Sequence, residues 1–426
     1  MGVEVTRLAN GVTVATHAMP HLESVALGVW INTGGRSEAP GEHGISHLLE
    51  HMAFKGTERR DARAIAEVIE QVGGEMNAET SVDHTSYYVR ILKEDVALGL
   101  DVLGDILCNS AFDPTELGRE QHVIVQEIGA ALDTPEDWVF ELFQESAYPD
   151  QAIGRSILGT PASIGAQTPD DLRRFLATHY RGPETVITAA GNLDHAAIVA
   201  GAEEHFASLS SEKSPKAEPG FYRGGETSEA RPLQEAQILL GFEAPAYHDD
   251  TLQAAHILSS IVGGGMSSRL FQEAREERGL CYSIYSFFWP FADTGIFGIH
   301  AATSEEDVDE LTQVVADELH KMTDGVSEAE LKRSKAQLRA GLMMGLESPL
   351  ARAGQLARHI LIYGRPLGFE ELVARIESVD ARMISDLAST ILASAPTLAA
   401  IGPVAKLPSA GDMARRIAGA NGAGAR

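Results

Sequence analysis

The order of expected elements runs twice along this chain. Before residue 208, Val12–Thr16 and Val25–Asn32 have the apolar, β-branched runs of strands, Gly41–Lys55 and Ala62–Val72 have helical spacing, and Thr85–Leu92 alternates as a strand. Helices from Asp95 to Cys108, from Pro114 onward and from Pro169 to His179 lead to a closing strand, Glu184–Ala190. After residue 230 the order recurs: strand Ala236–Phe242, helices Thr251–Val262 and Ser267–Arg278, strands near Tyr282–Phe288 and Gly295–Ala301, helices to about Leu392, and a closing strand, Thr397–Ile401. Gly28 and Gly191, in the opening and closing strands, lie 163 residues apart, and their counterparts Gly241 and Gly402 lie 161 apart. A period this long is a domain rather than a solenoid unit. The expected fold class is therefore α/β with mixed sheets, in two homologous tandem halves, each a mixed β-sheet packed with helices.

Between the halves, the segment SLSSEKSPKAEPGFYRGGETSEA (Ser208–Ala230) shows neither helical nor alternating periodicity. It places a first domain at residues 1–212, a linker at 213–229 and a second domain at 230–426. Halves that face each other would form a cleft, a natural ligand site. The 44% hydrophobic content is enough for packed cores. Thirty-four Lys and Arg against 61 Asp and Glu leave a net charge of −27, which repels a phosphate backbone, so no nucleic-acid partner is expected. No run of 18 apolar residues occurs and the start lacks a basic-then-apolar segment, so no membrane insertion is expected. The expected location is the cytoplasm, or an organelle matrix after removal of a targeting peptide. Cys108 and Cys281 have no metal-site or disulfide spacing and are expected to be free thiols. The small-residue tail from Ile417 is expected to fray.

The chemistry concentrates in GEHGISHLLEHMAFKGT, where His47, Glu50 and His51 form H-x-x-E-H on a helix whose other face carries Ile45, Leu48, Leu49 and Met52. Histidines at i and i+4 rise about 6 Å apart on one face, close enough to converge on one metal ion. Glu50 projects toward the same side and can serve as general base toward a metal-activated water. His43 extends the row, but positions eight apart lie about 12 Å along a helix, whereas two ligands of one zinc are at most about 4 Å apart. His43 therefore reads as a polar residue at the helix start.

A third ligand must come from elsewhere. The segment DPTELGREQHVIVQEIGAALD opens with Asp113 as N-cap, Pro114 at the first helical position and Glu116 at the third, so a helix starts there. Glu120 and Glu127 are seven apart on it, nearly on one face, and either could reach a zinc presented by the first helix. Gly263–Gly265 is expected to be a turn between two helices, since no Lys-Ser or Lys-Thr follows at phosphate-loop spacing.

HLLEHMAFKGT, followed by GGEMNAETSVDHTSYYV, resembles the pitrilysin or insulinase family of zinc metallopeptidases, whose motif inverts H-E-x-x-H. The match is nearest to the branch holding the mitochondrial processing peptidase β subunit and its bacterial relatives, and extends over REQHVIVQEI and GGGMSSRLFQEAREERGLCYSIYS. The resemblance implies one zinc per chain on His47, His51 and Glu127, with Glu50 as general base and Glu120 as a supporting acid. It implies that Asn77 lies on an edge strand that holds the substrate backbone, and that Arg275 and Tyr282 reach the substrate carbonyl and its developing oxyanion. Glu79 stands where relatives often have Tyr, so their specificity does not transfer.

The implied activity is that of a zinc-dependent endopeptidase, a homodimer, hydrolysing short or unfolded polypeptides held as an extended strand in a chamber, by Glu50-assisted attack of zinc-bound water. The competing expectation is a noncatalytic core or partner subunit of a processing peptidase or respiratory complex. Inactive members commonly lack the motif or the Arg and Tyr pair, and this chain keeps both.

Overall fold

In the computed structural model of the chain, residues 2–419 are described. Their contacts form two units, and the division does not follow the chain. The first takes the residues through Gly129, Arg155–Glu218 and Leu342–Leu367; the second takes Ala130–Gly154, Pro219–Gly341 and the residues from Gly368 on.

The first unit is built on a six-stranded sheet from β1 (Val3–Arg7), β2 (Thr13–Ala18), β3 (Ser24–Ile31), β4 (Glu75–Thr80), β5 (Thr85–Leu92) and β6 (Thr185–Gly191). Their spatial order is β1-β2-β6-β3-β5-β4, with β2 and β6 parallel and every other pair antiparallel. β3 and β6 are buried almost throughout, which requires cover on both faces. On one face, Leu27, Val29, Tyr87 and Val89 pack with Leu48 and Leu49 of helix Ile45–Ala53, Leu103 of helix Val96–Cys108 and Phe175 of helix Pro169–His179. On the other, Trp30 and Ala190 meet Ala353 and Ala357 of helix Pro349–Tyr363, and the Thr188 hydroxyl donates to the Ala353 carbonyl at 2.9 Å.

The second unit repeats this plan with β7 (Gly225–Ala230), β8 (Glu235–Glu243), β9 (Ser283–Pro290), β10 (Gly295–Ser304) and β11 (Thr397–Gly402). The order β7-β11-β8-β10-β9, with β7 and β11 parallel, reproduces β2-β6-β3-β5-β4 strand for strand. The paired glycines have paired reasons. A Cβ on Gly28 would lie 2.4 Å from the Trp30 ring, and one on Gly241 would lie 2.3 Å from the ring of Phe143. Gly191 and Gly402 end their strands at φ +136 and +120. The fold is thus the mixed α/β duplication that the sequence implied.

The contact division departs from a cut within residues 213–229 because of two helices. Pro135–Ala147 precedes that segment yet packs on β7, β8 and β11, and Pro349–Tyr363 follows it yet packs on β2, β3 and β6. Part of the segment read as unstructured is β7, a polar strand whose alternate residues stay exposed and whose order comes from backbone pairing with β11. The helix expected over Gly41–Lys55 begins only at Ile45, because Gly44 takes φ +87. Within the helix expected over Ser267–Arg278, Phe271–Glu277 winds as a π-helix. Both cysteines are free, Cys281 buried and Cys108 half-buried. Among the described residues no helix is long and apolar enough to cross a membrane. Of the tail expected to fray, Ile417 closes helix Ala410–Ile417 in a buried position, and residues 420–426 lie outside the described residues.

Candidate metal centre

Helix Ile45–Ala53 buries Ile45, Leu48, Leu49 and Met52 in the core of the first unit, which turns His47, Glu50 and His51 to its half-buried side. The two imidazole centroids are 4.7 Å apart. The helix starts on a buried carboxylate: Glu38 accepts the Gly44 amide at 2.8 Å and the Ser46 amide at 2.9 Å. Burial pushes the Glu38 carboxyl up to about 7, against the two amides that favour its charge.

Helix Pro114–Asp133 supplies the facing acids, and Asp113 caps it as expected, accepting the Thr115 amide at 2.7 Å. Glu127 Oε2 lies 3.9 Å from His47 Nε2 and 3.7 Å from His51 Nε2, and it is buried without a hydrogen-bond partner. An unpaired carboxylate oxygen facing two imidazole nitrogens is costly unless a cation joins them. The separations suit ligands about 2.0–2.2 Å from a common ion. Among the described residues no other three His, Cys, Asp or Glu donors gather in this way. The spacing alone left Glu120 and Glu127 equivalent, and the structure separates them. Glu120, 5% exposed, accepts from His51 Nδ1 at 3.0 Å and pairs with Lys55 Nζ at 2.9 Å. That contact leaves the His51 Nε2 lone pair turned toward Glu127.

Glu50 accepts a hydrogen bond from the hydroxyl of Thr80, the last residue of β4. Burial raises its carboxyl above the ordinary value, Thr80 opposes this, and nearby Glu79 and Glu127 add to it. Burial, and then His51, hold the His47 imidazole down to about 4, so it is neutral and able to ligate at pH 7. Asn77 and Glu79 share an exposed face of β4, which among the described residues pairs only with β5 and forms the edge of its sheet. His43 lies outside the cluster, its Nε2 donating to the Ser156 carbonyl at 2.8 Å. In the second unit the Arg275 guanidinium lies 4.6 Å from the Phe271 ring and 5.3 Å from the Tyr282 ring, and Tyr282 is 77% exposed just ahead of β9. Sequence reading passed over Glu38, Lys55 and Thr80. For Lys55 a signal existed, since it stands four residues after His51.

Family profiles cover most of the chain. One described as Insulinase (Peptidase family M16) matches residues 13–161, and one described as Peptidase M16 inactive domain matches residues 167–338. The chain belongs to peptidase family M16. A relative in Rickettsia bellii, named "Uncharacterized zinc protease", is 38% identical over 400 residues, which are 94% of this chain and 97% of its own. Another, "Uncharacterized zinc protease YmxG" of Bacillus subtilis, is 34% identical over 402 residues, 94% and 98% of the two chains. Among solved structures, a protease from Helicobacter pylori superposes with a TM-score of 0.86 at 21% identity, over 94% of this chain and 99% of that one. A chain of Complex III2 from Candida albicans gives 0.87 at 21% identity, over 98% and 100%. These likenesses show a shared fold. All three clustered donors fall within the residues matched by the first profile.

Proposed function

We propose that this M16 protein is a zinc-dependent endopeptidase acting on short or unfolded polypeptides. The observation that carries the reading is the convergence of His47, His51 and the unpaired Glu127 oxygen, with Glu50 on the same helix face. The zinc-protease names of its relatives agree with a set of two imidazoles and one carboxylate. When bound there, one zinc per chain would supply Lewis-acid polarisation and a water acidic enough to be activated near neutral pH.

The chain's own residues do the rest. Glu50 takes the proton of the attacking water and delivers it to the leaving amine. Its desolvated setting makes it a stronger base than a solvated carboxylate, and Thr80 fixes one of its oxygens. Glu120 orients His51, and Lys55 anchors Glu120. The edge of β4 receives the substrate main chain as an added strand, with Asn77 holding it. Arg275 and Tyr282 act as donors toward the carbonyl oxygen as its charge develops. Homodimerisation follows the resemblance alone, and two free thiols suit a reducing compartment such as the cytoplasm or an organelle matrix.

The test is Glu50→Gln, assayed for bound zinc and for cleavage of an unstructured basic peptide. The expected protein holds about one zinc and cuts nothing. Full turnover by this variant removes Glu50 from the mechanism. A wild-type chain that binds zinc and cleaves none of a peptide library supports the noncatalytic reading instead.

A further inference from the structure

The two histidines of the cluster are anchored unequally. His51 has Glu120 on its outer nitrogen, whereas Nδ1 of His47 is buried with no hydrogen-bond partner among the described residues. The placement of His47 therefore depends on the first turn of its own helix. That turn has no cap of the usual kind, because its N-cap residue is Gly44, which has no side chain. No other residue fits there: φ is +87, and a Cβ would lie 2.6 Å from Ile164 Cδ1 and 2.8 Å from Gly159 Cα. A Ser or Asp at this position is excluded by sterics.

Glu38 takes over the task from six residues upstream. It is 4% exposed, and its two oxygens accept the amides of Gly44 and Ser46, the latter adjacent to His47. Its main chain is held in turn, since Arg155 Nη2 donates to the Glu38 carbonyl at 2.6 Å. A carboxylate at a helix N-terminus is also favoured by the peptide dipoles. Resting on the metal-centre reading above, we propose that Glu38 is the positioning residue for His47: by gripping both amides it fixes where the helix begins and aims an imidazole whose Nδ1 has no hydrogen-bond partner among the described residues.

The test compares wild type, Glu38→Gln and Glu38→Asp for zinc affinity by chelator competition, and for kcat and KM at saturating zinc. Gln keeps the shape but can accept at only one end, and Asp keeps the charge but is one methylene shorter. The expected result for Glu38→Gln is zinc affinity weakened about 10-fold, the scale of other residues that orient metal ligands. Its kcat falls while KM stays near that of wild type, because the substrate edge on β4 is untouched, and Glu38→Asp recovers part of the loss. A generally loosened fold would move KM as well. If the Gln variant does not fold, the Asp variant carries the same comparison. A folded Glu38→Gln protein with wild-type zinc affinity and kcat overturns the role of Glu38 alone. Failure of the wild type to bind zinc overturns the metal centre and this role together.

Discussion

His51 reaches its position through a contact that a single substitution can remove. Glu120→Ala leaves Nδ1 of His51 without its acceptor and Lys55 without its partner. It is expected to weaken zinc binding about 10- to 100-fold while Glu127 still ligates; equal affinity in a competition titration would show that the contact does not orient the ring. A second prediction at this scale concerns His300, remote in sequence from the cluster. It is 4% exposed, its Nε2 donates to Gln237 at 3.0 Å, and burial holds its imidazole down to about 4. Between its unfolded value of 6.5 and about 4 the unfolded chain binds the proton and the folded chain does not. Stability from this group is therefore present above pH 6.5 and is lost as pH falls through that window, by about 3 kcal/mol in all. His300→Gln should flatten the slope, read from denaturant midpoints across the window; an unchanged slope contradicts the assignment. H-x-x-E-H was legible because its members are local and helix geometry aligns them. Thr80 and Glu38 were not, because each acts through a contact made by the tertiary fold and neither belongs to a patterned motif; Lys55 offered only its spacing from His51, and its partner Glu120 is supplied by the fold.

Among the elements, the central strands were readable from their continuous apolar runs, and helix Pro114–Asp133 from its capping residues. Of the edge strands, β9 was read from its aromatic run, but β1 and β7 were not. β1 and β7 carry polar residues and owe their order to backbone pairing with β2 and β11, which composition does not announce. The helix bearing the histidines started late because one glycine took the left-handed region. Repeated glycines in the central strands give the clearest prediction at this scale. Gly28→Ala and Gly241→Ala each push a methyl group into an aromatic ring on the sheet face. Each is expected to cost about 1–3 kcal/mol in equilibrium unfolding. Unaltered midpoints for both would mean that the rings move aside and that the glycines do not reflect a shared packing rule.

Across the whole molecule, duplication was legible as a recurring order, but the helices Pro135–Ala147 and Pro349–Tyr363 were not assigned to their sheets. Amphipathic spacing shows that a helix has a buried face without naming the sheet that buries it. The two copies have also diverged: the cluster of donors occurs in the first, while Arg275 and Tyr282 stand in the second. If both copies serve one reaction, Arg275→Ala and Tyr282→Phe should each lower turnover, by roughly the 10²–10³ seen for loss of an oxyanion donor, with zinc content unchanged. Wild-type kinetics in both variants would confine the chemistry to the first copy. The central claim is tested most directly by anomalous diffraction at the zinc edge from crystals of the zinc-loaded protein. The expected result is one peak per chain with Nε2 of His47, Nε2 of His51 and a carboxylate oxygen of Glu127 each about 2.0–2.2 Å away. No peak between these side chains, or full occupancy at a different set of ligands, would contradict it.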